Sequence, residues 1–394
     1  MVTVGGMFLI IVALTEIAQE FGWPRAVPSL ALSLQFVGSG IGGILMGYVL
    51  DRMGMGVPAL VGLVMVGSGA ILVSGIDAEW QLYLIYGFMF GLSGPSSTVT
   101  PAMMNITRWY EHRRGMAVGI VASGQGLAGI IWPPVFSRVM EAVGWRDMFF
   151  LYGVFALIAL PPLWYVLRKK PPAKSTHDPG RTRLASAQVS EQFGQNFGSQ
   201  LSPNAIQVIL CCAILGCCVA MGLPLGHLIA HVKDLGYSIT HAAMTLSVMQ
   251  IFGFTSSAVI VGYCADRYGG TIALFLFAAV QALALALLTA TQDLWLLYLI
   301  SALFGIGYGG IFPAYAVIIR EHLPASQARR RAGIVFLFGA LAMGLGGWLG
   351  GFLYDQTGSY TMPFLIGVGF NVVNLVIVGA LITKLPPRQA AQLA

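Results

Sequence analysis

Twelve apolar runs follow one another along the chain, each closed by a short polar break. They cover 2–18, 30–50, 57–76, 81–104, 115–136, 148–167, 205–231, 241–264, 271–291, 294–319, 332–353 and 362–383. About 20 apolar residues in a helix cross the hydrocarbon of a bilayer. The runs at 57–76, 148–167, 271–291 and 362–383 reach that length without one charged residue. A barrel strand would show about ten residues of alternating character, so the pattern predicts helices, called spans one to twelve below. Span one is the shortest. No basic stretch precedes it and no small-residue cleavage site follows, so it reads as a span and not as a secretory signal.

The polar breaks carry an orientation. With the N-terminus inside, 17 of the 21 Lys and Arg fall in inner breaks; only Arg25, Arg138, Arg146 and Lys233 fall in outer ones. Basic residues collect on the cytoplasmic side. The expectation is a multi-pass protein of the inner or plasma membrane with both termini cytoplasmic.

Composition narrows the class. Hydrophobic residues make up 57% of the chain and charged residues 9%, where a soluble domain carries about 25% charge. That excludes a soluble enzyme and a disordered chain. The net charge of +6 is explained by the inner breaks, so no nucleic-acid partner is expected. Fifty glycines suit close helix approach: Gly38–Gly42, Gly43–Gly47, Gly87–Gly91, Gly115–Gly119, Gly305–Gly309 and Gly347–Gly351 are each spaced to put two bare patches on one helix face. Cys211, Cys212, Cys217, Cys218 and Cys264 give no metal-ligand spacing. No metal and no cofactor is expected.

The chain repeats. Gly47-Tyr-Val-Leu-Asp51-Arg52-Met-Gly54 recurs 215 residues later as Gly262-Tyr-Cys-Ala-Asp266-Arg267-Tyr-Gly269. Trp80-Gln-Leu-Tyr-Leu-Ile recurs at the same offset from Trp295. The longest break, 168–204, is rich in Lys, Pro, Ser, Gln and Gly and reads as a linker. The expected domains are therefore a six-helix bundle at 1–167, a cytoplasmic linker at 168–204 and a second bundle at 205–394. Two copies in the same orientation form a parallel repeat about an axis normal to the membrane.

With the two Gly-Tyr-x-x-Asp-Arg-x-Gly breaks and the six-plus-six layout, the chain resembles the major facilitator superfamily. The resemblance implies an all-α integral membrane fold of twelve helices in two pseudo-symmetric bundles. Glu20-Phe-Gly-Trp23-Pro-Arg25, Arg108-Trp109-Tyr-Glu-His-Arg113-Arg114-Gly115 and Asp234-Leu-Gly236-Tyr are similar to the monocarboxylate and oxalate–formate porter-like branch. Members of that branch often place an Arg or an Asp–Arg pair in span eight, where this chain has Ser256-Ser257. By resemblance, Asp51 meets the start of span eleven and Asp266 the start of span five. Asp51, Arg52, Gly54, Asp266, Arg267 and Gly269 would then form a cytoplasmic latch.

Polar residues near the midplane are costly in lipid and mark candidate sites. Gln125, Gln250 and Tyr308 lie near the middles of spans five, eight and ten, which line the cavity in the superfamily. Gln35 is the repeat mate of Gln250. Gln281, Asn371 and Asn374 lie in spans nine and twelve and read as packing or lipid-facing residues. His227, in the outer part of span seven, is a candidate both for binding an anion and for carrying a proton. Glu16, near the outer end of span one, is the acidic candidate for proton coupling.

The reading is a secondary transporter and not an enzyme, expected as a monomer. Its expected substrate is a small monocarboxylate-type anion moved by proton symport or exchange. The alternative is a carrier of neutral or amphipathic compounds; a non-transporting membrane receptor is the remote one.

Overall fold

The computed structural model describes residues 1–109, 114–168 and 201–384, and among them it holds helices and no strand. Most of the expected linker therefore lies outside the described residues. Ten helices among the described residues are long and apolar enough to cross a membrane. One of them turns at Gly144, where φ is 85°, and carries spans five and six on its two arms. Span four does not count among the ten because a turn at Ser93 and Gly94 breaks it: Glu79–Leu84 runs into a π-helical stretch, Ile85–Leu92, and the helix resumes as Pro95–Trp109. Span eight is likewise Ile239–Thr255, a π turn at Ser256–Ile260 and Val261–Tyr268.

The turns show the same repeat as the sequence. Among the described residues six glycines have positive φ: Gly22, Gly54 and Gly144 in the first part of the chain, Gly236, Gly269 and Gly358 in the second, paired at offsets of 214, 215 and 214. Gly22 and Gly358 take the left-handed conformation that closes a helix C-terminus and that a Cβ disfavours. Helix starts are capped by side chains that accept an orphan backbone N–H: Ser202 from Ala205, Ser238 from His241 and Asp293 from Leu296.

Glycine spacing sets the closest approaches. A Cβ at Gly42 would lie 2.1 Å from the Leu92 carbonyl oxygen, and one at Gly309 would lie 2.1 Å from that of Gly253. The first contact joins spans two and four, the second spans eight and ten. Gln281, Asn371 and Asn374 are fully buried packing residues and do not face lipid. Asn371 donates to the Ala278 carbonyl and to Gln281 Oε1, each at 3.2 Å, and Gln281 donates to the Cys217 carbonyl. Cys211, Cys217 and Cys218 are buried, whereas Cys212 is exposed.

The first six spans meet the last six along two seams. Span two (Ala26–Met53) lies on span eleven (Ala325–Thr357): Ser33 donates to the Gly344 carbonyl at 2.6 Å, and Gly351 abuts Ser29 and Arg25. Span five lies on span eight, with Gly126 against Phe254, Gly129 against Gln250 and Glu141 accepting from Thr240 at 3.1 Å. These contacts run from the middle of each seam toward the predicted outer end.

Candidate transport pathway

The middle of the molecule holds three of the four residues expected to bind substrate. Tyr308 donates to Gln250 Oε1 at 2.5 Å. Gln125 is exposed. Its neighbour Gly124 faces the start of span one, and Gly126 faces Phe254 of span eight. Gln125 also lies one helical turn from Gly129, which packs on Gln250, so it stands on the face of span five that meets span eight. Gln35 is buried, and neither its amide oxygen nor its amide nitrogen has a partner among the described residues. The polar run at 94–101 spends its hydroxyls largely on its own helix: Ser96 donates to Leu92, Ser97 to Ser93 and Thr98 to Pro95. Thr98 also meets Thr3 of span one.

The predicted outer end is sealed by charge. Arg25, in the turn after span one, forms a two-pronged bond with Asp234 at the end of span seven, at 2.6 and 2.7 Å. Its guanidinium lies 3.8 Å from the Tyr354 ring centre and donates to the Tyr360 hydroxyl at 3.0 Å. Burial of Arg25 disfavours its charge, but the bonds from Asp234 and Tyr360 outweigh this and raise its pKa above the usual range. Asp355 accepts from the backbone N–H groups of Arg25 and Ala26 at 2.9 and 2.8 Å. It caps the start of span two from across the seam, where a carboxylate also suits the helix dipole.

Glu16 and His227, the expected proton carriers, both belong to this closure. Lys233 pairs with Glu16 and donates to Thr15. His227 is fully buried. Its Nε2 lies 2.7 Å from the Gly347 carbonyl and its Nδ1 lies 3.3 Å from the Tyr360 hydroxyl. In this conformation His227 is therefore part of the seal and does not face the centre, where Gln125, Gln250 and Tyr308 stand.

The predicted inner end is open. On span two the stripe Ser33, Val37 and Gly40 packs on span eleven, yet its continuation, Ile44 and Tyr48, is 63% and 56% exposed. On span eight the π turn shifts the register by one residue, so Val259 and Tyr263 continue the line of Gln250 and Phe254; they are 65% and 63% exposed. Asp51, Arg52, Asp266 and Arg267 are exposed at this end. Arg52 stacks on Tyr48 of its own helix and Arg267 donates to Tyr263 of its own. Gly54 and Gly269 make the turns. The side chains of 114–119, at the start of span five where Asp266 is expected to meet its partner, lie outside the described residues.

Sequence reasoning did not single out Arg25, Asp234, Asp355, Tyr354 and Tyr360 as one cluster. The signal was present in part: Arg25 and Asp234 stand in the two short motifs after spans one and seven, with opposite charge. Among the described residues no group of three or more His, Cys, Asp or Glu is placed to hold a metal ion.

A helical bundle with two seams, one end sealed and a polar centre is the architecture of a membrane transporter. The sequence pattern of the Major Facilitator Superfamily matches residues 1–288 and 233–394, and the chain belongs to that family. It is therefore a transporter and not an enzyme. It is 27% identical to monocarboxylate transporter 13 of Rattus norvegicus over 382 residues, covering 96% of this chain and 83% of the relative. It is 22% identical to the uncharacterized MFS-type transporter YcxA of Bacillus subtilis (strain 168), covering 91% and 87%. In fold it is similar to the nucleoside transporter NupG, with a TM-score of 0.70 at 14% identity over 97% of this chain and 98% of that one. Within the family the chain thus stands beside the monocarboxylate transporters.

Proposed function

We propose that this transporter moves a small monocarboxylate-type anion by alternating access between two six-helix bundles, 1–167 and 205–394, joined by the linker 168–204. The observation that carries the reading is the similarity to a monocarboxylate transporter along nearly the whole chain. Gln125, Gln250 and Tyr308 would hold the anion through amide and hydroxyl donors. Arg25 and Lys233, the basic side chains nearest the outer ends of spans one and seven, are already bonded to Asp234 and Glu16. That pairing favours the second reading, a neutral or amphipathic substrate, to the extent that carboxylates fail to compete. The conformation supports a state closed outside and open to the cytoplasm, with the latch loops at Asp51, Arg52, Gly54 and at Asp266, Arg267, Gly269 standing at the open end. Coupling to protons would run through Glu16 and His227.

Reconstitution in liposomes with an inward proton gradient tests this. Uptake of labelled lactate, pyruvate, formate or oxalate that collapses with a protonophore is the result expected for symport. Uptake that requires internal anion marks exchange. No uptake of any of the four by folded protein overturns the anion reading in favour of neutral solutes.

A further inference from the structure

The outer seal contains a complete chain of donors and acceptors. Arg25 Nη1 donates to the Tyr360 oxygen at 3.0 Å. The Gly347 carbonyl has no hydrogen to give, so His227 Nε2 must carry one and donate to it at 2.7 Å. A neutral imidazole then has Nδ1 free as an acceptor, and it takes the Tyr360 O–H at 3.3 Å. Every group in this chain is used once, in the right direction, around a neutral His227.

A second proton on His227 spoils this arrangement. Nδ1 becomes a donor, and the Tyr360 O–H that pointed at it loses its acceptor inside a packed seam. The new cation would also share the Tyr360 oxygen with Arg25, and the ring is fully buried. Where buried polar groups lack partners the cost is high. We infer that His227 is the proton sensor of the outer gate: its neutral form locks spans seven and eleven to Arg25 through Tyr360, and its protonated form releases them. The inference rests on the alternating-access reading given above and does not depend on the substrate.

The sign follows from which state binds the proton. The open gate exposes His227 to water and takes up a proton in the ordinary histidine range; the closed gate excludes it. Closure is therefore fully favoured at high pH and is lost as pH falls, by up to about tenfold in the closed-to-open ratio per pH unit. On this reading the part of His227 in the proton coupling proposed above is to set when the outer gate closes, while Glu16 is the carrier of the two.

Other titratable and charged groups face the same site. Span seven itself supplies His231, Lys233 and Asp234. Span one supplies Glu16, the following turn Arg25, the end of span eleven Tyr354 and Asp355, and the next turn Tyr360. His231 is the one with a comparable range. Its ring stands edge-on to Tyr360 at 5.9 Å and to Phe364 at 5.2 Å, so it needs its own control.

Distance measurement between spin labels tests the inference. Asp77→Cys and Gln292→Cys place labels at exposed outer turns of the two halves, in a background with Cys212→Ser and Cys264→Ser. From pH 8 to pH 5.5 the long-distance population is expected to grow at least tenfold. In His227→Gln, which keeps a donor for Gly347, it is expected to stay low at both pH values. Tyr360→Phe, which removes the link without removing the histidine, is expected to raise the long-distance population already at pH 8. A wild-type distribution that ignores pH overturns the proposal. So does a response that survives His227→Gln, or one that vanishes only in His231→Gln. If Arg25→Gln also yields a single short distance at every pH, it is the alternating-access reading that fails.

Discussion

Tyr308 and Gln250 bind each other between spans ten and eight, and glycines on both sides hold them there. A Cβ at Gly253 would stand 2.5 Å from the Tyr308 ring, and one at Gly129 would stand 2.2 Å from the Gln250 amide. The bond thus fixes the depth and direction of two polar groups beside the seam between spans five and eight. Removing the hydroxyl leaves the Gln250 oxygen without its partner. Tyr308→Phe is expected to lower stability by about 1–3 kcal/mol, read as a fall in melting temperature in detergent, and to raise KM for the transported solute. An unchanged KM would remove this pair from the substrate site.

Asp355 ties span eleven to the first turn of span two. Asp355→Asn keeps the size but removes the charge that meets two backbone N–H groups and the positive helix end. The expected cost to the closed state is about 1–2 kcal/mol, a shift of roughly tenfold toward the outward-open form. Modification of a cysteine placed at Ser33 by a membrane-impermeant thiol reagent from outside should then speed up by a similar factor.

Glycine positions are expected to separate sharply. Gly309→Ala drives a methyl into the backbone of Gly253 and should destabilise by about 1–3 kcal/mol. At Gly262 no atom of the described residues lies within 4 Å of a new Cβ, and the backbone is helical, so Gly262→Ala is expected to be neutral or stabilising by about 0.5–1 kcal/mol. Equal melting temperatures for the two variants would contradict the contact between spans eight and ten.

The bonds among Gln281, Asn371 and Asn374 are placed to hold spans seven, nine and twelve together without touching the centre. Asn371→Leu is expected to lower stability by about 0.5–2 kcal/mol while KM for transport stays within about twofold, as a paired uptake and melting measurement would show.

The spans, the repeat and the family were legible because each rests on many residues at once. A run such as 271–291 needs only its composition, and the matched breaks at Asp51 and Asp266 need only their spacing. Tyr308 and Gln250 were legible as central polar residues, but not as partners. The outer cluster was hidden for a different reason. Arg25, Asp234 and the pair Asp355 and Tyr360 lie at three span ends far apart in sequence, and their meeting depends on how two halves tilt. His227 was legible as a histidine one turn past Pro224, while its acceptor, the Gly347 carbonyl, is a backbone group that no side-chain pattern reveals. The lipid-facing option for Asn371 failed because mean hydropathy along a helix does not say which side of it a neighbour covers.

The exposed lower stretches of spans two and eight have a thermodynamic consequence. Ile44, Tyr48, Val259 and Tyr263 are exposed while the other ends of the same seams are packed, and rocking the halves would bury them and expose those ends. Tyr48 and Tyr263, repeat mates, suit both conditions, since the ring tolerates packing and the hydroxyl tolerates water. Beside the polar bonds of the outer seal, what weighs on the resting state is the difference between two apolar areas. At about 25 cal/mol per Å², a mismatch of about 100 Å² already weighs about 2.5 kcal/mol. A carrier built from near-equal seams can be tipped by one proton or one small solute.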